Sequence, residues 1–226
     1  MPEYIYSPLF PHLFWEIYDR WISPGVVPAL NADLHDRLIP TVAPGAHLLD
    51  VGSGGGQHAV RIVMDRPDLR VTGIDIEPVM VTRSRRLARS AGVGNRAEFL
   101  EGNALELPFE DASFDHVYCA GPVKQVSQKI RVFNECLRVL KPSGRLLVMD
   151  VDRGCRVEDV DAMCHLTPLN RVLKALLRRY FLGWVAATSI DLDELREIWA
   201  PLRLLDCDGP RRIDGFPALI AVGTKP

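Results

Sequence analysis

The sequence predicts an α/β fold: a doubly wound, seven-stranded sheet, mostly parallel with an antiparallel C-terminal strand, and helices on both faces. Three observations carry the prediction. Between residues 46 and 151, short runs of β-branched and apolar residues alternate with stretches of helical periodicity. The first run, Leu48-Leu49-Asp50-Val51, leads straight into Gly52-Ser53-Gly54-Gly55-Gly56 and a helix start. Open parallel sheets bind ligands at such strand-to-helix turns. The second run ends in an acid, Asp75, with Pro78 placed for the first turn of the next helix.

Taken in order, the chain opens with an aromatic, proline-rich segment. Phe10, Phe14, Tyr18 and Trp21 fall on one helical face. That face either packs on the domain or forms a lid over a pocket. A second short helix is expected from Val27 to Leu38, before Pro40. Residues 1–40 thus form a helical cap. The core, 46–151, starts with a strand at 46–51 and a helix at 57–65. A strand at 70–75 and a helix from 78 to 90 follow, the latter stopped by Gly92 and Gly94. A short strand at 97–100, a loop at 101–109 and a strand at 114–119 come next. A helix at 124–140 carries Val126, Ile130, Phe133, Leu137 and Leu140 on one face. Lys141-Pro142-Ser143-Gly144 then turns into a strand at 145–151.

Beyond residue 152 the pattern loosens into a variable helical segment, 152–187, with helices at 157–165 and 169–182. The closing part, 188–226, has a helix capped by Asp191 and two strands, 202–207 and 217–223, expected to form a hairpin. No linker or repeat divides the 226 residues, so one domain is expected.

Composition narrows the function. The net charge of −2 gives no general reason to bind nucleic acid. The basic clusters Arg83-Ser84-Arg85-Arg86 and Arg178-Arg179 read as solvated helix faces. Five widely spaced cysteines (Cys119, Cys136, Cys155, Cys164 and Cys207) with no paired spacing suggest reduced thiols, no metal site and a cytoplasmic protein. The N-terminus does not read as a signal peptide, and no apolar run is long enough to span a membrane; peripheral membrane contact stays open. Oligomeric state is not encoded legibly.

The glycine turn limits the ligand. A P-loop would need a lysine after its last glycine, and none is present. A dinucleotide fingerprint starting at Gly52 would need a glycine at Gln57. Asp50, just before the first glycine, is awkward for pyrophosphate and suits positive charge. Asp75 can accept both hydroxyls of a ribose. A nucleoside with a cationic appendage and no phosphate fits both acids.

These residues resemble a family. Leu48 to Gly56 resembles the first motif of the class I S-adenosylmethionine-dependent methyltransferases, and Val71-Thr72-Gly73-Ile74-Asp75-Ile76 the second-strand motif. Gly102-Asn103-Ala104 with Leu107-Pro108-Phe109 resembles the adenine loop, and Ser113-Phe114-Asp115 the start of the fourth strand. Arg138-Val139-Leu140-Lys141-Pro142-Ser143-Gly144 resembles the turn before the fifth strand. The type is that of small-molecule enzymes such as the ubiquinone and menaquinone methyltransferases. The resemblance implies a Rossmann-like methyltransferase fold and S-adenosylmethionine as cofactor. It further implies that Asp50 and the backbone of Gly52, Ser53, Gly54 and Gly56 hold the methionine moiety and its ammonium. Asp75 would bind the ribose, Ile76 would flank the adenine, and Asn103 with Ala104 would read its edge. Cys119 would lie beside the methionine moiety, or would simply be a small buried residue.

Two departures stand out. Asn103 replaces the family's usual Asp, and Lys124-Gln125 stands where many relatives carry a His pair. The expected reaction is in-line methyl transfer to O, N or C of a small acceptor, apolar or aromatic in part. A cofactor-fold protein without methyl transfer, cyclase-like or regulatory, is the alternative. Candidate acceptor contacts or bases are Lys124 and His165, then His58 and His12; His116, inside a strand, reads as structural. The leucines and aromatics of residues 157–187 either wall an acceptor pocket or pack on the core.

Overall fold

A computed structural model describes residues 39–121, 126–213 and 215–226. The expected helices at 1–38, and Lys124 and Gln125, lie outside the described residues. Seven strands form one sheet in the order β3-β2-β1-β4-β5-β7-β6. They are β1 (His47–Val51), β2 (Arg70–Asp75), β3 (Ala97–Glu101), β4 (Phe114–Ala120), β5 (Leu140–Val151), β6 (Leu205–Arg212) and β7 (Ala218–Thr224). β1 to β5 are mutually parallel, while β7 runs antiparallel to both β5 and β6. This is the mostly parallel, doubly wound sheet that the alternation predicts.

Strand alternation splits the core in two. Leu48, Val71, Tyr118, Leu147 and Val222 face one side, where α1 (Gln57–Asp65) and α2 (Pro78–Ser90) cover them with Ile62, Val63 and Val81. Leu49, Val51, Val117, Cys119 and Val148 face the other, under α3 (Lys129–Val139) and α6 (Leu192–Trp199), which contribute Phe133, Cys136, Ile198 and Trp199. A third cluster, around Val160, Met163, Phe181 and Val185, joins α4 (Val157–His165), α5 (Arg171–Tyr180) and a π-helical turn at Phe181–Ala186.

Several boundaries differ from expectation. The described part of the expected 124–140 helix is α3, from Lys129 to Val139. β5 begins at Leu140 rather than 145, because Leu140 pairs with Phe114 and the Lys-Pro-Ser-Gly segment is absorbed as an irregularity with Ser143 at φ 61°. The expected 169–182 helix is α5 followed by the π-turn, capped at its start by Asn170, whose Oδ1 accepts from Leu173 N–H at 3.0 Å. β6 starts at Leu205, since residues 200–202 continue α6 as a 3₁₀ turn and Arg203 breaks away at φ 51°. Arg83 to Arg86 is not wholly a solvated face: Ser84 is buried, and Arg85 Nε donates to the Phe99 carbonyl at 2.9 Å. Cys119, Cys136, Cys155 and Cys164 are free thiols. No described helix is long and apolar enough to cross a membrane.

Candidate functional site

The strand order reverses direction between β1 and β4, the place where the carboxyl ends of an open sheet leave a crevice. Loops after β1, β2 and β3 and the end of β4 therefore stand side by side. They carry Asp50 to Gly56, Asp75 and Ile76, Asn103 and Ala104, and Cys119. The topology places the residues that the resemblance singles out at the carboxyl ends of four neighbouring strands.

The turn needs its glycines. Gly52, Gly54 and Gly56 have φ of 73°, 51° and 81°, a region that costs L-residues with a Cβ roughly 1–2 kcal/mol. A Cβ on Gly56 would also lie 2.7 Å from Ser84 Cβ and 2.8 Å from Phe99 Cζ. A Cβ on Gly54 would meet nothing within 4 Å, so the turn presents an open face there. β2 holds the turn in place. Gly52 and Ser53 N–H donate to the Ile74 carbonyl at 2.8 and 3.0 Å. Gly54 N–H donates to Asp75 Oδ2 at 2.8 Å, and Glu77 N–H to Asp75 Oδ1 at 2.9 Å. Asp75 thus ties the turn to the start of α2. Each of its oxygens keeps a second lone-pair direction for an outside donor. Burial pushes its carboxyl above the usual range, against the backbone N–H groups of Glu77, Gly54 and Ile76.

Asp50 lies directly beneath the turn and is 1% exposed. Its Oδ2 has no hydrogen-bond partner, nor have the buried Ser53 Oγ and Tyr118 hydroxyl. Asp50 and Tyr118 are paired in register across β1 and β4, on the same face of the sheet. The phenol faces the carboxyl group without closing a hydrogen bond of normal geometry. Burial, helped by Asp75, pushes the Asp50 carboxyl up to about 8. Burial raises the Tyr118 phenol as well. A buried acid with an unsatisfied oxygen requires a partner, and a cation is the one that would return it to its ionised form. Tyr118, opposite Asp50, is not among the residues singled out in the sequence. Its signal was the even spacing Phe114, His116, Tyr118, which places it on one strand face.

The loop after β3 is pinned from behind. Arg138 donates to the Phe109 and Leu107 carbonyls at 2.8 and 2.9 Å and pairs with Glu135 at 2.8 Å; Glu135 in turn accepts from Leu107 N–H at 2.8 Å. Asn103 Oδ1 accepts from Leu105 N–H at 2.7 Å, so the amide shapes its own loop. Cys119 is fully buried between Val51 and Val148. His116 is buried in β4, with Nδ1 accepting from Arg145 N–H at 3.2 Å, and burial lowers the pKa of its ring. His165 ends α4, exposed, and its carbonyl lies 3.4 Å from Lys174 Nζ. Among the described residues no group of His, Cys, Asp and Glu is arranged to hold a metal.

Residues 49–148, from the first strand through the fifth, match the methyltransferase domain family. The match covers the core alone, 100 of the 226 residues, and makes that core similar to a methyltransferase domain. The chain is 32% identical over 136 residues to the ubiquinone/menaquinone biosynthesis C-methyltransferase UbiE of Paracoccus denitrificans, covering 60% of this chain and 54% of that one. It is 39% identical over 120 residues to the 27-O-demethylrifamycin SV methyltransferase of Amycolatopsis mediterranei, covering 52% and 43%. The chain thus spans about half the length of these curated relatives. Among solved structures, a methyltransferase from Aquifex aeolicus superposes with a TM-score of 0.68 at 16% identity, covering 96% and 98% of the two chains. The cyclase SpnF superposes at 0.60 and 23%, covering 88% and 81%. These two likenesses establish the fold.

The cofactor of such a domain is S-adenosylmethionine. The residues present fit it. The unpaired Asp50 oxygen suits its positive charge, the open face at Gly54 leaves room for close approach, and the spare acceptor directions of Asp75 suit a diol.

Proposed function

We propose that the protein transfers a methyl group from S-adenosylmethionine to an O, N or C atom of a small, partly apolar acceptor. The observation that supports this best is the buried, unpaired Asp50 carboxyl beneath a left-handed glycine turn that Asp75 locks from the next strand. S-adenosylmethionine, when bound, supplies a methyl group already activated on a sulfonium. The chain's own task is then to hold donor and acceptor in line and to exclude water. Alignment of that kind is worth up to about 7–11 kcal/mol of barrier.

In this reading, Asp50, Ser53 and the backbone of Gly52, Gly54 and Gly56 hold the methionine end, beside Cys119. Asp75 takes the ribose hydroxyls. Ile76 flanks the adenine, while Asn103 and Ala104 meet its edge. Lys124 and His165 are proposed acceptor contacts. Either would serve as a base only if the nucleophile carries a proton that must leave.

The matched relatives are named for a carbon acceptor in quinone biosynthesis and for a rifamycin oxygen. They support a small organic acceptor and leave the attacked atom open. An apolar wall for it is available in the helical segment, where Tyr180 and Trp184 stack at 5.8 Å beside half-buried Leu177 and Leu182. We place the enzyme in the cytoplasm, on its thiols.

The test is turnover. Wild-type protein, given S-adenosylmethionine and a dialysed extract supplemented with candidate quinols and phenols, is expected to accumulate S-adenosylhomocysteine above an Asp75→Ala control. Tight cofactor binding with no product from any acceptor would overturn methyl transfer and favour the cyclase-like or regulatory reading.

A further inference from the structure

We propose that α5 is a docking surface for an anionic lipid bilayer. α5 buries none of its residues. Val172, Leu173 and Leu176 are 70%, 46% and 59% exposed, and Leu166, just before it, is 48% exposed. Residues 172, 173 and 176 share one helical face. Leu177 and Tyr180, at that face's inner edge, anchor the helix to the third core cluster. The aliphatic surface therefore points outward, the reverse of an ordinary surface helix.

Charge decides what would cover it. α5 carries Arg171, Lys174, Arg178 and Arg179 and no acid. The acid-free stretch extends from Ala162 to Ile190, in a chain whose net charge is −2. Arg178 is tied to Asp161 at 2.6 Å, and Lys174 reaches the His165 carbonyl. Arg171 and Arg179 have no partner among the described residues; Arg179 borders the apolar face next to Val172, and Arg171 lies on the polar side of the helix. A groove of about 310 Å³ between α4 and α5 is lined by Arg171, Lys174 and Arg178 with Asp161 and His165, so these cations lie on the polar side of α5, away from the aliphatic residues. A second copy of this chain would bring like charges together on the same face. An anionic membrane answers both features: aliphatic side chains enter the acyl boundary while the guanidinium groups reach up to phosphate. The helix is too short and too charged to span, so it would lie in the plane of the interface. The inference does not depend on methyl transfer.

The experiment is co-sedimentation of the full chain with vesicles of phosphatidylcholine alone or mixed with phosphatidylglycerol. Binding is expected only to the mixed vesicles and is expected to weaken with added salt. The double variants Leu173→Ser with Leu176→Ser, and Arg171→Glu with Arg179→Glu, are each expected to weaken it at least about tenfold. Both alter exposed side chains, so unchanged urea unfolding would show that the fold is intact. No sedimentation with either vesicle, equal sedimentation with both, or full-strength binding by both variants would overturn the proposal. So would a wild-type dimer in sedimentation velocity that Leu173→Ser with Leu176→Ser converts to monomer, since the face would then be a self-interface.

Discussion

Replacing Asp50 with Asn should stabilise the free protein while weakening its hold on the cofactor. Asp50 is fully enclosed, and its carboxyl is pushed from 3.8 to about 8 by burial. A group whose pKa is raised on folding contributes fully below its unfolded value, and that contribution is lost as pH rises through the folded value. Wild-type protein is thus progressively penalised from about pH 4 to about pH 8, by close to 1.4 kcal/mol per pH unit. At pH 7 the penalty amounts to about 4 kcal/mol relative to acid conditions. Asn does not titrate and escapes it. Urea unfolding of both proteins across this range, without ligand, should show Asp50→Asn gaining on wild type as pH rises and levelling off above about pH 8. Carboxylates common to both proteins cancel in the difference. Calorimetry supplies the other half. S-adenosylmethionine favours the ionised carboxylate, so wild type should release a proton on binding below about pH 8 and bind more tightly as pH rises. Asp50→Asn should bind at least about tenfold more weakly and lose this proton release. A stability difference that does not change with pH would refute the reasoning, as would undiminished affinity in the variant.

Other substitutions separate the parts of the site. Gly54→Ala has open space for its methyl group and only backbone strain to meet, so it should cost about 1–2 kcal/mol of stability by urea unfolding and impair cofactor binding far more than folding. Gly56→Ala combines that strain with contacts of 2.7 and 2.8 Å to Ser84 and Phe99, and should cost roughly 2–4 kcal/mol in the same assay. Asp75→Ala frees the Gly54 and Glu77 N–H groups and removes the proposed ribose acceptor; calorimetry should show affinity falling about a hundredfold or more. Asp152, 1% exposed, accepts from Arg212 at 2.5 Å and from Gly154 N–H at 2.8 Å. Asp152→Ala should cost about 2 kcal/mol, since Arg212 is half-exposed, and leave cofactor affinity unchanged.

How much of this was legible in the sequence follows from how local each signal is. β2, α1 and α2 have the boundaries expected of them, because Gly56, Asp75, Pro78 and Gly92 mark them within a residue or two. The glycine turn and both acids were legible for the same reason. Tyr118 was not, because its role comes from lying opposite Asp50 on a strand more than sixty residues away. Nor was the pinning of the β3 loop by Glu135 and Arg138, which depends on where α3 docks. β6 starts later than expected because residues 200–202, with Pro201 in the first turn, continue α6 as a 3₁₀ segment, and the apolar residues from Leu202 do not show this. The outward aliphatic face of α5 was hidden by its own periodicity: amphipathic spacing says that a helix has an apolar side, not which way that side faces.

The central claim is that the turn over Asp50 holds a cationic nucleoside. Isothermal titration of the wild-type protein with S-adenosylmethionine, and separately with NAD and ATP, tests it most directly. The account predicts one site per chain with micromolar affinity for S-adenosylmethionine, proton release below about pH 8, and no heat from either phosphate-bearing nucleotide. Silence with S-adenosylmethionine, or tighter binding of NAD, would contradict it.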